Sequence, residues 1–238
     1  MKNYFMLFIY ALVFISCEST ESEETPSKTN QFSKITNDEL PINSSNSYEF
    51  VGQAYQDILH NYYSDSILPT LNDSIIEKVN WKASTHVLFD DFVVADYNLI
   101  PESKINYIVS DSNTALNSIV SNLSLPSKEK DNFRVFISTV LFKVDNDIDY
   151  VDIYNYVIAY ESEIQNSDQL TLSEKEYILA STSIIRHSIY AKKRRPKKNT
   201  DLDWYWLTAN FTGAIEGAQY GKNHAILAAL KTGIIDNK

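Results

Sequence analysis

Four of the five glycines in this 238-residue chain lie between Gly213 and Gly233, and they fall into step with alanines at every fourth position. The ladder reads Ala209, Gly213, Gly217, Gly221, Ala225, Ala229 and Gly233. On a helix, steps of four trace an inclined ridge, here one with almost no side-chain volume. Another helix can approach such a ridge closely, at a crossing angle of about −40 to −50°. Leu207, Phe211 and Ile215 give the ridge an apolar flank. Each glycine in a helix costs roughly 1 kcal/mol relative to alanine, so the row implies a compensating contact. That contact is open to three partners: another helix of the same domain, a second copy of the chain, or a bilayer. Asn210, Glu216, Gln219, Lys222, Asn223 and His224 interrupt the stretch and argue against a membrane span. A break near Gly221-Lys222-Asn223 would fold 200–238 into a helical hairpin, packed on or extending a helical domain over 47–199.

The remainder of the chain is written in helical spacing. Phe50, Val51, Ala54, Tyr55, Ile58, Leu59 and Tyr62 recur at three- and four-residue steps. A short helix is expected over 73–79. Residues 81–99 are ambiguous between helix and two short strands, and are read as helix. Ile105, Ile108, Val109, Leu116, Ile119, Val120 and Leu123 mark one amphipathic helix ending near Pro126. Phe133, Phe136, Ile137, Val140, Leu141 and Val144 form a nearly complete core stripe, and Tyr150, Ile153, Tyr154 and Val157 repeat it. Leu172-Ser173 followed by Glu176-Tyr177 reads as a capping box with a hydrophobic staple. No Asn-Gly or Asp-Gly hairpin signal occurs. The sequence therefore predicts an all-α bundle of six to eight helices.

The amino terminus speaks to location. Met1-Lys2-Asn3 precedes a continuous apolar run over 4–15, then Ser16 and Cys17, the single cysteine. A run this short falls below the roughly 20 residues needed to cross a bilayer, and fits the h-region of a signal peptide over 1–16. Phe14-Ile15-Ser16-Cys17 resembles the lipobox of bacterial lipoproteins, although Phe14 stands where that family usually has Leu, Val or Ile. The resemblance implies cleavage before Cys17 and lipidation, palmitate included, of its thiol. Two or more acyl chains, at about 0.8 kcal/mol per buried methylene, hold a domain on a membrane. Glu18, Glu21, Glu23 and Glu24 follow, and such acidic clusters are similar to export signals of Bacteroidetes-type surface lipoproteins. A solvated linker explains them equally well. Residues 17–46 are poor in large apolar groups and read as a flexible tether. A thirty-residue coil spans about 30 Å. The glycine ladder likewise resembles glycine-zipper segments of membrane-associated and secreted bacterial proteins.

Charge narrows the partners. The net charge of −10, one unit more negative once Lys2 is removed, argues against general nucleic-acid binding. Against that background Lys192, Lys193, Arg194, Arg195, Lys197 and Lys198 form a dense basic run around Pro196. A helix end uses one or two cations, so headgroup contact is a second reading beside that of a solvated turn. Trp204-Tyr205-Trp206 follows, either as a core-closing pair or as an interfacial group. Sixteen tyrosines offer recognition surface as well as core edges.

Candidate chemistry is thin. Asp145-x-Asp147-x-Asp149 opens like a calcium loop, but Tyr150 and Tyr156 stand where that loop needs Gly and Glu. A solvated turn with Asp149 at a helix start is the better reading. His86 and Asp90 would share a helix face without a further histidine at ligand spacing. His60, His187 and His224 stand alone, and no nucleophile-elbow, zincin or phosphate-loop motif occurs. No metal, cofactor or catalytic residue is assigned. The expectation is a non-catalytic binding or structural module held by lipid at the cell envelope, in the outer membrane, with an envelope protein or glycan as partner. Two alternatives stand beside it: a lipid-anchored hydrolase whose site only the fold assembles, and a protein that self-assembles as a homo-oligomer or meets membrane through the ladder.

Overall fold

In the computed structural model, residues 41–193 and 205–238 are described. Cys17, the acidic cluster, Arg194, Arg195, Lys197, Lys198 and Trp204 lie outside them. Among the described residues every regular element is helical, giving the expected all-α bundle. The order is α1 (Glu49–Tyr63), α2 (Asn72–Ser84), a 3-10 turn (Val87–Phe89), α3 (Val94–Tyr97), α4 (Glu102–Ser110) and α5 (Ser112–Ser121). Then come α6 (Ser127–Asp145), α7 (Tyr150–Asn166), α8 (Leu172–Lys193), α9 (Tyr205–Ala218) and α10 (Lys222–Asp236).

The three C-terminal helices occupy the centre. Every residue from Tyr177 to Tyr190 on α8 is buried, as are Trp206 to Ala218 on α9 and Ala225 to Ile235 on α10. A helix apolar or small all round must be covered on every side. Here α1, α2, α4, α5 and α7 supply the cover, with α6 outermost against α5 and α7. The outer helices are amphipathic: Val51, Tyr55, Ile58 and Tyr62 of α1 face inward, as do Phe133, Phe136, Ile137 and Val140 of α6. On α6 the opposite side leaves Val135 and Phe142 in solvent.

The small-residue ladder is the seam of the α9–α10 hairpin. A Cβ added to Gly217 would lie 2.3 Å from the carbonyl oxygen of His224 and 2.7 Å from Cα of Ala225. Both atoms are backbone and cannot give way. Gly213 meets Ala228 and Thr232 in the same manner, and Gly233 meets Asn210. With side chains removed from the seam, polar groups bond across it. Thr232 Oγ1 donates to the Ala209 carbonyl at 2.8 Å, and Asn210 Nδ2 donates to that of Ala229 at 2.9 Å. Asn210, which interrupts the apolar run in sequence, thus ties the hairpin together. The turn passes through Gly221, whose φ of 118° is open to glycine and strained for other residues.

Several local expectations are corrected. Residues 81–99 are not one helix: α2 ends at Ser84, and the chain continues through the 3-10 turn to the single turn of α3. Ring contacts set that path, since Phe89 lies 5.0 Å from Phe92 and Phe92 lies 5.4 Å from Tyr97 and 5.1 Å from His224. The helix expected over 105–123 is two, because Asp111 accepts a 3.0 Å bond from the Thr114 amide and starts α5 afresh. The capping box of α8 is Thr171 with Glu174, not Ser173 with Glu176: Glu174 accepts from the Thr171 amide at 2.7 Å, and Thr171 Oγ1 accepts from that of Glu174 at 3.3 Å. Leu172 is 84% exposed and staples nothing, whereas Leu170 is buried. Residues 41–46, which composition assigns to the tether, lie bonded to the domain.

The backbone contact at the seam gives a direct test. Gly217→Ala should lower unfolding stability by roughly 1–3 kcal/mol, the usual cost of overpacking, as read from urea denaturation.

Candidate functional site

Helix α8 carries two ionisable side chains, Arg186 and His187, in the middle of its buried stretch. An unpaired charge there would cost several kcal/mol, so partners are required. They come from two surrounding helices. The Arg186 side chain is wholly buried and donates from Nη2 to Glu49 Oε2 at the start of α1. Glu161 of α7, 1% exposed, stands 3.4 Å from both Nε and Nη2. His187 Nε2 lies 2.7 Å from Glu49 Oε1, and its Nδ1 lies 2.7 Å from Gln56 Oε1. Glu49 is therefore shared between a guanidinium and an imidazole.

Close approach of α1 and α8 makes this sharing possible. A Cβ on Gly52 would fall 2.4 Å from both His187 Cδ2 and Ser183 Oγ, so only glycine lets the helices meet there. The Gly52 amide donates to Ser183 Oγ at 3.1 Å, while Ser183 Oγ donates to the Glu49 carbonyl at 3.3 Å.

The same ionic knot receives the segment preceding α1. Arg186 Nη1 donates to the Pro41 carbonyl, and Asn43 Nδ2 donates to Glu161 Oε2 at 2.6 Å. Tyr154 Oη donates to the Ile42 carbonyl at 2.7 Å, and Asn46 Nδ2 to that of Leu179 at 3.1 Å. Residues 41–48 form a strap over the knot.

The electrostatics follow from burial and pairing. Desolvation is the largest influence on Glu49 and acts upward. Bonds from His187 and Arg186, with their charge, overcome it and hold the carboxyl below its usual range. Arg186 is raised: desolvation works against its charge, but Glu161 and Glu49 outweigh it. His187 is lowered: desolvation and the neighbouring Arg186 charge outweigh the opposing pull of Glu49. Such an arrangement fixes three helices and a strap in register. Its buried members leave no open position for a substrate.

A second buried cation is of another kind. Lys231 of α10, 2% exposed, donates from Nζ to the Tyr97 carbonyl at 2.6 Å. Among the described residues it has no carboxylate at ion-pair distance, and burial alone lowers its pKa to about 8.

An open cleft of about 340 Å³ lies where the start of α8 meets the α9–α10 turn and the α5–α6 connection. Ser124, Ser173, Glu174, Glu176 and Gln219 give it polar walls, and Leu123, Leu125 and Tyr177 an apolar side. Its volume falls in the range of small-molecule sites.

The residues singled out in sequence fare unequally. His86 and Asp90 do not share a helix face, because the chain turns between them; His86 Nδ1 accepts from the Leu88 amide at 3.3 Å. Asp149 accepts from the Val151 amide at 2.8 Å and starts α7, while Asp145 ends α6 and Asp147 lies in the turn between them, both exposed. Among the described residues no cluster of three metal-ligating side chains occurs. Lys192 is half-buried near the end of α8, and the rest of the basic run has no described side chain. Trp206 is buried. The knot itself escapes sequence reading, where His187 stands alone; the available signal is an arginine and a histidine adjacent within an otherwise core-like run.

Two outcomes are expected. The folded values of His187 and Glu49 both lie below their ordinary values of 6.5 and 4.5. In each case the unfolded chain takes up protons first as pH falls. Stability is therefore full above pH 6.5, declines below it through His187, and declines again below 4.5 through Glu49. Urea titrations from neutral to acid pH will show this two-stage fall. Lys231→Met should raise stability at neutral pH by ~1–3 kcal/mol, since it removes an uncompensated buried cation. No family model, no curated protein and no solved structure matches this chain.

Proposed function

We propose that the chain is a lipid-anchored protein of the cell envelope whose helical domain serves as a binding or structural module rather than as a catalyst. The observation that carries this reading is the order Phe14-Ile15-Ser16-Cys17 at the end of a short apolar run, with the chain's single thiol placed where a lipobox has its acceptor. Among the described residues no helix is long and apolar enough to cross a membrane. Attachment in this reading rests on the acyl chains of Cys17.

The non-catalytic part of the reading draws on the burial of the ionisable groups gathered by α8. Arg186, Glu161 and His187 are each at most 2% exposed and bonded to one another's partners. A general acid or base must reach a substrate proton within hydrogen-bond distance. The cleft beside Glu174, Glu176 and Gln219 is the surface offered to an envelope protein or glycan.

Metabolic labelling tests the anchor. Wild-type chain expressed in a lipoprotein-processing bacterium should incorporate an alkyne fatty acid and lose sixteen residues. Cys17→Ser should do neither. Equal labelling of the two forms, or recovery of an uncut and acyl-free wild type, would defeat the proposal.

A further inference from the structure

The strap over the knot is held chiefly by polar bonds. Its bonds run to Arg186, Glu161 and Tyr154, to the Leu179 carbonyl, and outside the knot to Gln165 and Glu176. Ser47 Oγ accepts from Gln165 Nε2 at 2.8 Å, and Tyr48 Oη donates to Glu176 Oε2 at 3.3 Å. Its apolar contribution is slight. The fully buried core begins at Val51; within 41–48 only Pro41 and Asn46 are buried, Ile42 is 40% exposed, and Tyr48 alone packs, partly buried, against the core. Segments held by polar bonds with little apolar burial occupy the low end of local stability.

We propose that residues 41–48 form a releasable latch: acidification breaks the ionic knot that holds them, and the strap leaves its groove while the helical bundle stays folded. The groups acting on Arg186 and His187 come from α1 (Glu49), α7 (Glu161 and Tyr154) and α8 (each other), and Tyr150 of α7 feels Arg186. A proton added to His187 places a second cation beside Arg186. A proton added to Glu49 removes the anion that both cations share. Either event leaves the guanidinium short of matching negative charge and free to turn from the direction in which Glu49 holds it, and Arg186 is the residue that grips the Pro41 carbonyl. Water entering the vacated groove then solvates Arg186 and Glu161, which a sealed knot forbids. The core contacts of α1, from Val51 to Tyr62, are untouched by this exit.

Release has a geometric consequence that rests on the envelope reading above. Eight residues drawn out to full extension add up to about 28 Å to the chain between anchor and domain. Acid would lengthen the tether.

Hydrogen exchange read by mass spectrometry on the full chain tests the latch independently of lipid, so its failure and that of the anchor are separable. Between about pH 7.5 and pH 4, after correction for intrinsic rates, peptides covering 41–48 should lose protection at least tenfold while those of α8, α9 and α10 keep theirs. Tyr154→Phe removes one strap bond and leaves the charges in place; it should move release to higher pH. Strap protection that stays constant over this range overturns the proposal. So does protection lost only together with that of the central helices, or release in Tyr154→Phe at the wild-type pH.

Discussion

A guanidinium with no access to water is the constraint around which this domain is assembled. Arg186 cannot be left unpaired at that depth, and breaking a buried pair by removing one member typically costs about 3–5 kcal/mol. The need for anions fixes Glu49 of α1 and Glu161 of α7 on either side of α8, and the strap closes over them. Replacing such a cluster by well-packed apolar groups is often neutral or stabilising, so its value lies in specifying one arrangement. Charge and hydrogen-bond geometry, with the close fit at Gly52, tie α1 and α7 to one register along α8.

The two buried cations show how differently one interior can treat charge. Arg186 is matched by two carboxylates and stays charged, with its pKa raised. Among the described residues Lys231 has a backbone carbonyl and no carboxylate, and its pKa falls to about 8. Lysine can give up its proton when buried, whereas arginine cannot. The fold places each cation where that difference is tolerable.

How far these features are legible in sequence depends on the distance over which they are decided. The amphipathic faces of α1, α6 and α7 and the ladder of α9 and α10 repeat locally, and their periodicity reports them. The hairpin seam at Gly213 and Gly217 could be anticipated because glycine in a helix demands a reason. A hydroxyl residue three positions before a glutamate occurs twice at the start of α8, as Thr171 with Glu174 and Ser173 with Glu176, and only burial of Leu170 with exposure of Leu172 selects Thr171 over Ser173. The course of 81–99 follows from packing of Phe89, Phe92 and Tyr97, which no period encodes. The knot is the extreme case, since Arg186 finds Glu49 across 137 positions and Glu161 across 25. Gly52 likewise has no repeat around it; its necessity appears only when α8 lies against it.

The position of α9 and α10 bears on the order in which this chain can acquire structure. They follow every other described helix in sequence, yet they form the middle of the bundle, and α8 just before them is the remaining central piece. A nascent chain that has emerged only as far as α7 has outer helices with nothing to wrap, and their apolar faces find no permanent home. Cooperative collapse therefore waits until the last thirty or so described residues arrive. A polypeptide built this way gains the contacts that close its core only when its final helices are present.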